Sequence, residues 1–225
     1  MKKNDIKPYV TRGRPKNQDA NSRRQAILEH AYLAFIELGF ASTSTAEIAQ
    51  RARISKRTLY EIFSDKKALF AAVISEHRHL LLDLPRPASE YCSLDESLFR
   101  IFRLDISEEA FQERDAILRL MTRESILFPE LSDYLYESEA VRSRELLLEW
   151  LHTTAREKNF PSDEIEVYAG MLMDTVFSAL MPRRRIHNTE FRINITAEIK
   201  KRIQIVLLGM GWLSEKDLSS KRRFL

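Results

Sequence analysis

The apolar residues of the N-terminal third fall on helical spacings. Ile27, Ala31, Ala34, Phe35 and Leu38 recur every three or four positions, the stripe of an amphipathic helix that starts near Asn21. Gly39 ends that helix as a left-handed residue, with Phe40 as the apolar contact beyond it. Ser44-Thr45-Ala46-Glu47 has the form of a capping box, in which the Ser44 hydroxyl accepts from the Glu47 amide and Glu47 reaches back. The helix it opens turns Ile48, Ala49 and Ala52 inward and is short, because Arg53-Ile54-Ser55 interrupts it. Ser55 caps a second short helix, in which Leu59 and Phe63, four apart, bury together. Asp65 caps a longer one through Lys66, Leu69, Phe70, Val73 and Ile74 to near Leu82, where Leu84-Pro85-Arg86-Pro87 breaks it.

Downstream the pattern stays helical, with no strand-like alternation. Helices are expected over 94–105, 108–127, 130–157, 163–181 and 192–208, and Pro129 and Pro161 mark two of the boundaries. The fold class is therefore all-α. The expected organisation is a flexible basic arm (1–18), a three-helix helix-turn-helix domain (19–66), a C-terminal helical domain (67–213) and a tail (214–225).

Composition narrows this picture. Five glycines and seven prolines in 225 residues suit long helices better than a turn-rich β fold. A single cysteine, Cys92, excludes an intrachain disulfide and a multi-cysteine zinc site. The basic N-terminus lacks the apolar core of a secretory signal, and no apolar run approaches the ~18 residues of a membrane span. A cytoplasmic protein with no membrane partner is expected. Charge is divided unevenly: residues 1–67 carry 14 Lys+Arg against 7 Asp+Glu, and residues 68–225 carry 22 against 26. A basic N-terminal part points to a polyanionic partner.

Two short helices joined by a three-residue turn form a helix-turn-helix, whose second helix enters the major groove of DNA in nucleic-acid-binding versions. Lys56 and Arg57 stand at the start of that helix, off the buried line, and Arg suits the paired acceptors of guanine. Ser44, Thr45, Thr58 and Tyr60 offer hydroxyls to phosphate, and Ser55 joins this set at the helix N-terminus. Lys66 opens the next helix, where a cation and free amides favour a phosphate. Arg12 and Arg14 of the arm suit the adjacent minor groove.

In the C-terminal part, Phe99, Phe102, Phe111, Met121, Phe128, Trp150, Met173 and Phe177 suit an apolar ligand pocket, or equally an ordinary core and dimer seam. Asp174 is the odd member of an apolar helix, expected at an exposed or rim position, facing solvent, a cation across a dimer, or a cationic ligand. Cys92 is a thiol sensor or a spectator. The five histidines read as surface residues and Arg183-Arg184-Arg185 as a solvated loop. No catalytic constellation, glycine-rich phosphate loop or HExxH stands out, so neither an enzyme nor a cofactor is expected.

The stretch from about residue 20 to 80 resembles the DNA-binding domain of the TetR (tetracycline-repressor-like) family. The matching positions are Gly39-Phe40, Thr43-Ser44-Thr45 with Ile48-Ala49, Ile54-Ser55, Thr58-Leu59-Tyr60, Phe63, Lys66 and Leu69, and Arg12-Gly13-Arg14-Pro15 resembles the arm of some members. The chain departs at Arg53 and Arg57, where many members carry Gly. The resemblance implies a homodimer paired through the last two helices, here about 163–181 and 192–208. It also implies a double-stranded palindromic operator, repression, and release by a small-molecule effector whose identity it leaves open. Phe128-Pro129-Glu130-Leu131 resembles a motif of several family C-terminal domains. The rival expectation is a helical interaction protein whose basic N-terminal domain binds a protein or RNA.

Overall fold

In the computed structural model, which describes residues 16–87, 90–181 and 189–214 (side chains from residue 20 on, except 189 and 191), ten α-helices account for the regular structure apart from one 3-10 turn. The first stripe forms α1 (Lys16–Ser42). Gly39 interrupts its helical path at φ +83°, ψ +166°, an extended mirror-image conformation rather than the left-handed helical one expected. The two short helices follow as α2 (Thr45–Arg51) and α3 (Lys56–Ile62), and α4 spans Lys66–His77. The longer helix expected to reach Leu82 tightens instead into a 3-10 turn at Arg78–Leu80.

The C-terminal part comprises α5 (Leu94–Ile101), α6 (Glu108–Leu127), α7 (Pro129–Glu137), α8 (Ser143–Lys158), α9 (Ile165–Leu180) and α10 (Thr189–Gly209). The single helix expected over 130–157 is two. Glu139 adopts φ +55°, and the amides of Glu139 and Ala140 bond back to the carbonyls of Tyr136 and Leu135, which closes α7. With neither Gly nor Pro at the break, composition gave no stop signal.

Two cores hold these helices. One gathers α1 to α4 with α6 and α7, through Ile27, Phe35, Phe40, Leu59, Leu69 and Phe70 against Ile117, Leu120 and Leu131. The other is built by α5, α8, α9 and α10 around Leu98, Phe102, Leu147, Leu151, Leu172 and Ile203. Phe177 on α9 packs against both. No helix among the described residues is long and apolar enough to cross a membrane, and no group of three His, Cys, Asp or Glu there is placed to hold a metal ion.

Candidate nucleic-acid interface

Local capping fixes the helix-turn-helix. Ser44 caps α2 by accepting from the Glu47 amide at 3.1 Å. The reciprocal half of the expected capping box is replaced: the Glu47 carboxylate pairs with Arg51 at 2.7 Å, and Arg51 also reaches Glu37 at 2.8 Å. The turn closes as a Schellman motif, with the Arg53 amide on the Gln50 carbonyl and the Ile54 amide on the Ala49 carbonyl. Its left-handed position, φ +54°, is held by Arg53. Arg pays a steric cost of about 1–2 kcal/mol there that Gly escapes. A β-branched side chain fits worse. Arg53→Val is expected to lower the thermal midpoint by about 2–6 °C, while Arg53→Gly leaves it within about 2 °C, read by calorimetry.

Ser55 then caps α3, accepting from the Thr58 amide at 3.0 Å and bonding the Thr58 hydroxyl at 2.8 Å. Leu59 is fully buried and Phe63 nearly so, which locks the inner face of α3. Lys56, Arg57 and Tyr60 are exposed on the outer face. The Arg57 side chain is 89% exposed, and its Nε donates to Glu61 Oε1 at 3.0 Å, one turn along. Its two terminal nitrogens engage none of the described residues, so the fork that matches guanine is free. Tyr60 and Thr45 share a hydrogen bond of 2.9 Å between hydroxyls, tying α3 to the start of α2.

Lys66 corrects the expectation placed on it. Its ammonium donates to the carbonyls of Phe40 at 2.8 Å and Thr43 at 3.1 Å, and it sits 4.3 Å from the centre of the Phe40 ring. Burial pulls its pKa below the ordinary lysine value, partly offset by the charge of Glu124. Lys66 therefore caps the carbonyl end of α1 instead of offering a cation to phosphate. Arg12 and Arg14, with the rest of the arm up to residue 15, lie outside the described residues, as do Arg183 to Arg185.

Nothing in the local pattern of residues pointed to Arg123 and Glu124. These α6 residues meet the end of α1 at Gly39: Arg123 donates to the Phe35 carbonyl at 3.3 Å and to Glu124 Oε1 at 2.7 Å. The Glu124 side chain is 3% exposed, and a Cβ on Gly39 would stand 3.1 Å from its Oε1 and 3.0 Å from Arg123 Nη2. The contact spans more than eighty positions, so no local period reports it.

The eight residues proposed to line one ligand pocket are not brought together. Met121 and Phe128 pack against the first core, with the Phe128 ring 5.8 Å from that of Phe40. Phe102 and Trp150 are members of the second core, Phe99 and Met173 pack on it, Phe177 lies 6.3 Å from Phe102, and Phe111 sits beneath two arginines. Cavities open among the described residues. A small one of about 110 Å³ has Trp150 in its wall, and a larger one of about 430 Å³ lies between the turn after α5 and α10, lined by none of the eight. Asp174 is exposed on α9, and the half-buried Cys92 thiol lies 3.1 Å from the Ser97 hydroxyl.

Residues 27–73 match the model of the tetR family of bacterial regulatory proteins. An uncharacterized helix-turn-helix regulator of Bacillus subtilis, YvkB, is 24% identical over 160 residues, 70% of this chain and 80% of its own. The regulator AcrR of Shigella flexneri is 26% identical over 176 residues, 75% of this chain and 80% of its own. Among solved structures, the flavonoid-responsive regulator FrrA superposes with a TM-score of 0.55 at 26% identity, covering 84% of this chain and 97% of its own. A TetR-family regulator from Cytophaga hutchinsonii shares the fold, with a TM-score of 0.57 at 18% identity over 85% of this chain and 96% of its own. A capped helix-turn-helix in the matched segment and relatives over most of the chain together support a TetR-family helix-turn-helix transcriptional regulator.

Proposed function

We propose that the chain is a repressor that binds a palindromic operator as a homodimer, through α3 in successive major grooves, and is released by a small-molecule effector. The observation that carries this reading is the division of α3. Leu59 locks its inner face, while Lys56 and the free fork of Arg57 lead its outer face. Ser44, Thr45, Ser55, Thr58 and Tyr60 then serve phosphate contacts around that reading head.

Dimerisation through α9 and α10 is supported by exposed apolar residues on both helices. Val167 and Met171 lie on α9, and Ile205 on α10, each between 46% and 58% exposed. Asp174 on α9 and Lys201 on α10 are exposed as well. A two-fold axis lets such a pair meet twice, once for each copy.

Coupling needs a path from the C-terminal helices to α3. The contact of Arg123 and Glu124 with the end of α1, beside the Lys66 cap, supplies one in addition to α4. An effector that favours a different seat for α6 lowers operator affinity by its own preference between the two seats, and no more.

Selection of genomic fragments by the purified chain, with Lys56→Ala/Arg57→Ala beside it, tests the reading. A shared palindrome lost in the variant is the expected result, and fragments without common sequence would refute it. On the selected site, Lys56→Ala should reduce the slope of log affinity against log salt by about one. Operator affinity that stays constant across a broad ligand screen would remove the release step alone.

A further inference from the structure

Three guanidinium groups converge where the turn after α5 meets α10. Arg114 on α6 is 2% exposed, and its acceptors among the described residues are main-chain carbonyls only, Phe102 at 3.3 Å and Arg103 at 2.9 Å. Those bonds cap α5, but a carbonyl does not cancel a charge. Arg103 stands in the turn at φ +50°, and its buried Nε has no hydrogen-bond acceptor among the described residues. Arg192, in the first turn of α10, donates through Nη1 to the Ile106 carbonyl at 3.0 Å. Its Nε lies 3.0 Å from Glu108 Oε2, yet the alignment makes no hydrogen bond and both buried atoms stay unmatched. Phe111 is the platform between two of them, its ring centre 5.4 Å from Arg114 Cζ and 5.7 Å from Arg192 Cζ.

The acidic neighbours are largely occupied. Asp115 is paired with Arg119 at 2.7 Å, and Asp105 with Lys200 at 2.6 Å. Glu109 is held first by its own backbone amide and then by Ser107, with only a weaker pull from Arg192. Glu108 stands against Arg192. Burial lowers the pKa of Arg114 to about 10, with repulsion from Arg103 and Arg192 next and slight relief from Asp115. The group remains charged at neutral pH, in a place where an uncompensated cation is costly. Arg192 is also part of the wall of the cavity of about 430 Å³, with Lys200 and its partner Asp105, Thr196, and the apolar Leu104, Ile106, Ile193 and Ala197.

We propose that this cavity binds the effector and that the effector is an organic carboxylate with an apolar body. This rests on the regulatory reading above. A carboxylate offers in-plane acceptors to the Arg192 guanidinium on the wall and adds negative charge beside the Arg103, Arg114 and Arg192 cluster, where Glu108 pairs with Arg192 alone. Leu104, Ile106 and Ile193 provide the wall for an apolar body. The site has a route outward, because Arg114 and Arg123 share α6, nine residues or ~14 Å apart along its axis. A pull on the first half of α6 acts on the residues that hold α1.

The test uses the full chain at constant ionic strength, with benzoate as probe, benzyl alcohol as its neutral analogue, and inorganic phosphate and chloride as other anions. Benzoate should raise the thermal midpoint along a saturating curve, by roughly 5–10 °C at a hundredfold excess over its Kd. Benzyl alcohol and chloride should not. Arg192→Gln should raise half-saturation at least tenfold. Thr196→Phe, which fills the cavity without removing a charge, should do the same, and covers the case in which Arg192→Gln fails to fold. Lys56→Ala/Arg57→Ala should respond as the parent does. An equal response to all the anions, a response that survives both cavity changes, or one that disappears with Lys56 and Arg57 instead would overturn the proposal. So would no response at all, the outcome if a second copy fills the cavity. Benzoate that saturates the site yet leaves operator affinity unchanged would overturn the effector role. A chain that binds benzoate but no preferred duplex would instead sink the regulatory reading and leave the anion site standing.

Discussion

Arg57→Ala is expected to weaken binding to the selected operator by roughly 5- to 150-fold, the ~1–3 kcal/mol that one bidentate base contact discriminates. Binding to random duplex should fall far less, because there the residue contributes one charge among many. The geometry makes this a clean experiment. The side chain is 89% exposed, and its only partner among the described residues is Glu61, one turn away on the same helix. Such a surface pair contributes at most about 1 kcal/mol to stability, so the variant should unfold within a few degrees of the parent. Arg57→Lys sharpens the test. It keeps the charge and loses the fork, so it should restore nonspecific affinity and the salt slope but not sequence preference. A loss of equal size on operator and random DNA would mean that Arg57 holds phosphate and that the bases are read elsewhere.

Gly39→Ala is expected to cost about 2–4 kcal/mol and to lower the thermal midpoint by about 4–16 °C. Two effects add. The conformation at φ +83°, ψ +166° is one that only Gly occupies without strain. The new methyl would also stand 3.0 and 3.1 Å from Arg123 Nη2 and Glu124 Oε1. Arg123 can move, since its side chain is 44% exposed, but Glu124 is buried and cannot yield without opening the contact between α1 and α6. Arg123→Ala/Gly39→Ala should therefore recover only the smaller, steric part. A midpoint unchanged by Gly39→Ala would show that the α1 break is not needed for packing.

What the sequence disclosed, and what it hid, follows from how far each determinant acts. Ser44, Ser55 and Asp65 cap helices by bonding an amide three residues on, so their roles were legible on sight. Lys66 was misassigned because the carbonyls it caps lie 23 and 26 residues upstream. Arg123 and Glu124 were invisible for the same reason. Helix ends were harder than helix starts. Arg53, Arg103, Glu139 and Asn159 all take left-handed positions at helix C-termini, where Gly is the usual marker. Arg53 was found because a short helix had to stop and Ser55 announced the next. Glu139 was missed, and α7 and α8 were read as one. The eight aromatic and Met residues named for the C-terminal part are buried or half-buried. Their distribution over two cores depends on tertiary pairing that no single-helix period encodes.

The first core also sets how this protein can be taken apart. Its apolar residues run without a break from α1 and α4 into α6 and α7, with Ile117, Leu120 and Leu131 facing Phe35, Phe40 and Phe70. The DNA-reading helices are thus not a detachable module. A chimera joined after residue 66, or a fragment ending near residue 82, would expose this apolar surface and leave α1 without the α6 residues that brace it. Exchange of operator specificity between relatives is better made by grafting the outer face of α3 alone. A transplanted reading head that must remain responsive to effector has to carry α6 and α7 with it.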